Sequence, residues 1–286
     1  MRLLSLTVSM LTILLAGSAQ ADPFFFSTGS ATASIAMASR PGGGSGANQE
    51  TEAADDFTLS APSTLIDSAT FTGLLPANAD ISEVRVEVYR VFPKDSTNPP
   101  PGLVPTRVNS PSDVEFDVRD SASSNLTFTT TLLNPTFATL NSVDLGIHPI
   151  PNQTTGGDGP ATGQEVRFDI VFTTPFDLPP DHYFVVPQVL LANPNDHFLW
   201  LSAARPNLTT PFAPDLQAWI RNGDLDPNWL RVGTDIVGGS PAPTFNAAFS
   251  LEGETVPEPA SLVLLGFAFL GVAAVGRKKL LRGKLV

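Results

Sequence analysis

Carboxylates recur in close sets along this chain: Asp55 with Asp56, Asp113 with Glu115 and Asp117, Asp224 with Asp226, and Glu252 with Glu254. Two carboxyl groups facing one another across a cleft can cleave a glycosidic bond, one as the acid and the other as base or nucleophile. Alternate residues on one strand share a face and form a stripe, so Asp113, Glu115 and Asp117 read as a solvated sheet face. The stretch Asn222-Gly223-Asp224-Leu225-Asp226-Pro227-Asn228 packs oxygen-bearing side chains into a turn, the donor set that a hard cation such as Ca2+ takes. Asp224, Asp226 and Asn228 are the candidate metal ligands. The same residue types also make an ordinary turn, and the twelve-residue calcium-loop pattern is missing. No other cofactor is expected.

His148, His182 and His197 have no metal-binding spacing among them. No Gly-x-Ser-x-Gly nucleophile elbow occurs, and with no cysteine in the chain both disulfides and thiolate metal sites are excluded. The expectation is a protein that is not an enzyme. Aromatic residues leave a binding role open. Trp200, Trp219 and Trp229 either fill a core or present flat rings on which sugars stack. Trp200, inside Phe198-Leu199-Trp200-Leu201, reads as core. Trp229, directly after Asp226-Pro227-Asn228, is the candidate for exposure and for glycan contact.

The elements that would carry these residues are strands. Val84, Val86 and Val88 alternate with Arg85 and Glu87; Val114, Phe116 and Val118 alternate with Asp113, Glu115, Asp117 and Arg119; Val166, Phe168, Ile170 and Phe172 alternate with Arg167, Asp169 and Val171. This period of two makes one face apolar and one wet. Residues 183–191 and 198–203 are more uniformly apolar, as central strands are. One short helix is expected over residues 213–221, where Leu216, Trp219 and Ile220 stand at i, i+3 and i+4 after Pro214 and Asp215. With 22 glycines and 27 prolines between short apolar runs, the fold class predicted is all-β, an antiparallel β-sandwich with jelly-roll-like connections over residues 50–254, a barrel being the competing architecture. Residues 22–49, with Pro41-Gly42-Gly43-Gly44-Ser45-Gly46, read as a flexible lead.

Both ends of the chain are of a different kind. Residues 1–21 have a basic start, an apolar stretch and the small-residue site Ala19-Gln20-Ala21, the pattern of a signal peptide removed by signal peptidase before Asp22. At the other end, Val256-Pro257-Glu258-Pro259-Ala260 leads into an uncharged apolar run over residues 260–276. At 1.5 Å per residue this run would span roughly 26 Å, just enough for a bilayer core. Arg277, Lys278 and Lys279 follow as a membrane stop, with Arg282 and Lys284 in the same basic tail over residues 277–286.

Without Arg2 and the five tail cations, 10 basic residues face 28 acidic ones, a net charge of −18. Lys94 is the one lysine left between the termini. Such a surface repels nucleic acid and anionic lipid, which excludes nucleic-acid partners, and keeps the domain soluble.

The order Pro257-Glu258-Pro259, apolar span and basic cluster, over residues 255–286, resembles the PEP-CTERM sorting signal of bacterial envelope proteins. The resemblance covers about a tenth of the chain. It implies export, a transient hold in the inner membrane, processing by an exosortase near the Pro-Glu-Pro, and a destination at the cell surface or in the extracellular, biofilm-associated matrix. A structural passenger is the first expectation for the middle domain, and a carbohydrate-binding module recognising exopolysaccharide is the alternative. Burial of all three tryptophans would favour the former.

Overall fold

The computed structural model describes residues 21–42, 50–91, 109–145, 147, 154–205, 215–223 and 229–256. Among the described residues fifteen strands run in chain order: β1 (Asp22–Ser27), β2 (Ala31–Ala38), β3 (Thr51–Leu59), β4 (Thr64–Leu75), β5 (Ile81–Arg90), β6 (Asp117–Asp120), β7 (Leu126–Thr139) and β8 (Asn141–Val143) come first. β9 (Ala161–Leu178), β10 (Asp181–Leu191), β11 (Leu199–Ala203), β12 (Trp219–Asn222), β13 (Leu230–Arg231), β14 (Asn246–Ala247) and β15 (Phe249–Thr255) complete the set. They form two sheets. The nine-stranded sheet has the path β1-β15-β4-β11-β2-β8, with β9 beside β4, β7 beside β9 and β14 beside β11; the six-stranded sheet runs β13-β12-β3-β10-β5-β6. Pairing is antiparallel apart from β2 with β8.

The alternation in the sequence explains the packing of the two sheets. In β9, Val166, Phe168, Ile170 and Phe172 are buried while Arg167 and Val171 face water. They meet Val84, Val86 and Val88 of β5 and Ala53 and Phe57 of β3 in one continuous core between the sheets. Ring contacts bind the core across the strands: Phe71 stacks on Phe168 at 4.7 Å, and Phe198 meets Phe168 edge-on at 5.4 Å. Gly73 makes room for this, because a Cβ there would collide with the Phe198 ring.

The six-stranded sheet is covered on its other face too. Ala54, Tyr89, Phe184, Val186, Trp219 and Trp229 form a second apolar layer there. Strands buried on both faces lose their polar alternation, which is why β10 reads as a dense apolar run.

Three expectations are corrected. Residues 22–42 are not a flexible lead. β1 is paired along its length with β15, β2 lies between β11 and β8, and Phe26 of β1 packs against the rings of Phe57 and Phe249. The sandwich therefore starts at Asp22, whereas the glycine stretch over residues 43–49 lies outside the described residues. The described part of the expected helix over 213–221 is not helical: residues 215–218 carry no regular element and Trp219–Asn222 form β12. Trp219 and Ile220 face opposite sides of β12, Ile220 toward the main core and Trp219 toward the second layer. An apolar pair adjacent in sequence suits a strand buried on both faces as well as a helix. Val114 and Phe116, expected inward, are exposed, and Arg119, expected outward, is buried. The strand begins only at Asp117, after an irregular stretch, so the inside-outside pattern inverts. Arg119 donates to the carbonyls of Thr174 and Pro175 and lies over the Phe176 ring.

Candidate functional site

The sequence-predicted residues fall into three groups. The sorting residues Pro257, Glu258 and Pro259, the membrane stop Arg277, Lys278 and Lys279, and the cation candidates Asp224, Asp226 and Asn228 lie outside the described residues. So do the apolar run 260–276, the leader 1–20 and His148. Trp229 is described, and it corrects the expectation of exposure. It is wholly buried, its Nε1–H donates to the Ser112 carbonyl at 3.3 Å, and its ring meets Tyr89 edge-on. Ser112 and Arg221 cover it, a long-range contact that the adjacent Asp-Pro-Asn sequence does not reveal. Trp200 and Trp219 are buried as well, so none of the three rings presents a stacking face.

Charge has gone inward beside these aromatics. Arg221 of β12 binds both carboxylate oxygens of Glu52 of β3, and its guanidinium lies 4.6 Å from the Trp229 ring centre. Tyr89 donates its hydroxyl hydrogen bond to Glu52 and approaches Glu87 as well. Glu50, Glu52 and Glu87 each bring an oxygen within 4.8 Å of the others, a grouping able to receive a cation. Arg85 and Arg221 already stand against these carboxylates. Burial, followed by the charges of Glu52 and Glu115, pushes the Glu87 carboxyl up to about 8. Burial likewise drives the Tyr89 phenol far above its ordinary range, so it serves as a neutral donor.

The adjacent carboxylates Asp55 and Asp56 become intelligible from the pleat, which sends neighbouring residues to opposite faces. Asp55 points between the sheets and accepts the Ala247 N–H at 2.8 Å, tying β3 to β14 of the other sheet. Asp56 points outward, accepts the Leu216 N–H at 3.0 Å and meets His182 Nε2. Burial, with the neighbouring Asp56 charge, holds Asp55 well above the usual carboxylate range. His197 is paired with Asp144. Both described histidines are thus engaged with carboxylates as fasteners between segments.

The outer face of the nine-stranded sheet remains open to water. The strand registers place Thr129, Asp169, Thr70, Ser250 and Ser27 in one row across β7, β9, β4, β15 and β1. Two adjoining shallow grooves of about 340 and 390 Å³ run along it and share Thr70, Asp169, Ser250 and Glu252. Phe25 stands at the rim, 62 % exposed. No sequence signal singled out this row, because outward threonines are ordinary strand formers.

The remaining feature is the end of β15. Thr255 pairs with Asp22 on one side and Thr64 on the other, and the Val256 N–H donates to the Ser63 carbonyl at 2.9 Å. The family model of the PEP-CTERM protein-sorting motif matches residues 255–279, beginning at this point. The chain is therefore an exosortase-sorted, exported β-sandwich protein whose precursor is anchored in the membrane. Neither the curated proteins nor the solved structures give a match to the chain.

Proposed function

We propose that the sandwich is a non-catalytic structural passenger, delivered through its sorting motif to the cell surface or extracellular matrix. The observation that carries this reading is the use made of its aromatic and charged side chains. Trp200, Trp219 and Trp229 are buried, and the Glu52–Arg221–Tyr89 group and the Asp55 and Asp56 pair join segments to one another. Fractionation of the native host with an antibody against the passenger tests it. The processed form is expected in the surface or matrix fraction, and a processed form confined to the soluble periplasmic fraction would overturn it.

A second reading, a carbohydrate-binding module for exopolysaccharide, is favoured by the row Thr129, Asp169, Thr70, Ser250 and Ser27. Hydroxyl and carboxylate groups of this kind can exchange hydrogen bonds with sugar hydroxyls, and Phe25 offers an exposed ring beside them. Affinity electrophoresis against neutral polysaccharides separates the two readings. Retention that Phe25→Ala with Asp169→Asn abolishes supports the module, and unretarded migration supports the structural passenger.

A further inference from the structure

The sorting motif begins inside the folded domain. Its match starts at Thr255, which is the last residue of β15 and is hydrogen-bonded into the sheet on both sides. Val256 is still tied to Ser63. Gly253 fixes this end closely, since a Cβ there would collide with the Leu65 carbonyl. A chain advances at most about 3.6 Å per residue, so Pro259 lies within roughly 11 Å of Val256. A small domain is itself about 30 Å across. A peptidase that closes on Pro257, Glu258 and Pro259 therefore meets the sheet end as well.

That end has a definite chemistry. The registers put Pro23, Glu254, Leu65 and Asp177 in one outward row across β1, β15, β4 and β9. Asp22, Glu254 and Asp177 are exposed, as are Asp67 and Glu252 one row further in. The side chains of these four strands hold a single cation, Arg167, far up β9 and paired with Asp169 at 3.0 Å. Anionic headgroups would be repelled by such an edge. A protein surface carrying lysine or arginine would be drawn to it.

We propose that the exosortase reads the folded end of the sandwich together with the linear motif, the row Pro23, Glu254, Leu65 and Asp177, with Asp22 at its rim, docking on a basic surface beside the enzyme's cleft. This rests on the exosortase-sorted reading of the chain. The short tether supplies the proximity, and the carboxylates supply the orientation.

The test is the rate of precursor-to-product conversion of the full-length chain in cells holding the exosortase, followed by intact mass. Asp22→Asn with Glu254→Gln keeps the shape of two exposed side chains and removes their charge. Conversion is expected to slow about five- to tenfold, with the protease resistance of the sandwich unchanged. A six-residue Gly/Ser linker between Val256 and Pro257 is expected to slow it as well. Conversion of both variants at the wild-type rate, or faster with the linker, would overturn the proposal. So would a rate that follows the anionic lipid content of the membrane and ignores these two substitutions. A wild-type precursor left uncleaved would instead count against the sorting reading itself.

Discussion

Arg221 grips Glu52 with two nitrogens while its guanidinium plane lies over the Trp229 ring, so one side chain of β12 joins the ionic and aromatic parts of the second layer. Only 8 % of Arg221 and 4 % of Glu52 is exposed. Removing one partner of so buried a pair strands the other charge away from water. Arg221→Ala is expected to cost about 3–5 kcal/mol of stability, whereas Glu52→Leu combined with Arg221→Met should recover most of it. Urea unfolding of the passenger decides this. An Arg221→Ala domain as stable as wild type would mean that water reaches Glu52 freely.

Trp229→Ala is expected to destabilise the sandwich by about 3–5 kcal/mol, as the loss of a large core ring does. The measurement is the thermal midpoint together with near-ultraviolet dichroism. A ring serving as a surface platform would leave both almost unchanged, and that result would contradict its burial.

The stability of the domain should depend on pH through Glu87. Its carboxyl sits at about 8 in the folded state against the ordinary 4.5, so the fold holds this proton more tightly than the unfolded chain does. The contribution is fully present below pH 4.5 and is lost as pH rises toward 8, with a limiting slope of roughly 1.4 kcal/mol per pH unit. Glu87→Gln, which mimics the protonated form, should flatten the melting temperature between pH 5 and pH 8. Superimposable pH profiles for variant and wild type would remove Glu87 from the account.

Replacing Pro257, Glu258 and Pro259 together by alanine should leave the chain at its full length in the membrane fraction. Intact mass in the native host reads this directly. Normal processing of the triple variant would show that the matched motif is not what the enzyme requires.

Much of the architecture was legible where only one face of a strand is buried. The Val166 to Phe172 alternation of β9 reads directly into inward and outward positions. Legibility failed where both faces are covered. Trp219 and Ile220 are apolar on opposite sides of one strand, and the pattern imitates a helix turn. β1 and β2 were missed for a different reason: three successive phenylalanines and an Ala-Ser-Thr run carry no alternation, and their pairing is settled by β15 and β11 far along the chain. The buried state of Trp229 is likewise long-range, fixed by Ser112 and Arg221. The sorting motif, by contrast, is a local pattern of proline, apolar length and charge, and it was legible without any fold.

Asp22 and Thr255 are partners across 233 residues of chain. The first strand of the domain to be synthesised can find its place only after the last has arrived, so β1 joins the edge of the nine-stranded sheet late, at the cost of a very long loop. Until then Phe24, Phe25 and Phe26 wait on an unpaired strand, the kind of segment on which stray chains associate. A carboxy-terminal hold, in place once β15 and the tail behind it have emerged, would keep each waiting chain apart from its neighbours while β1 finds β15.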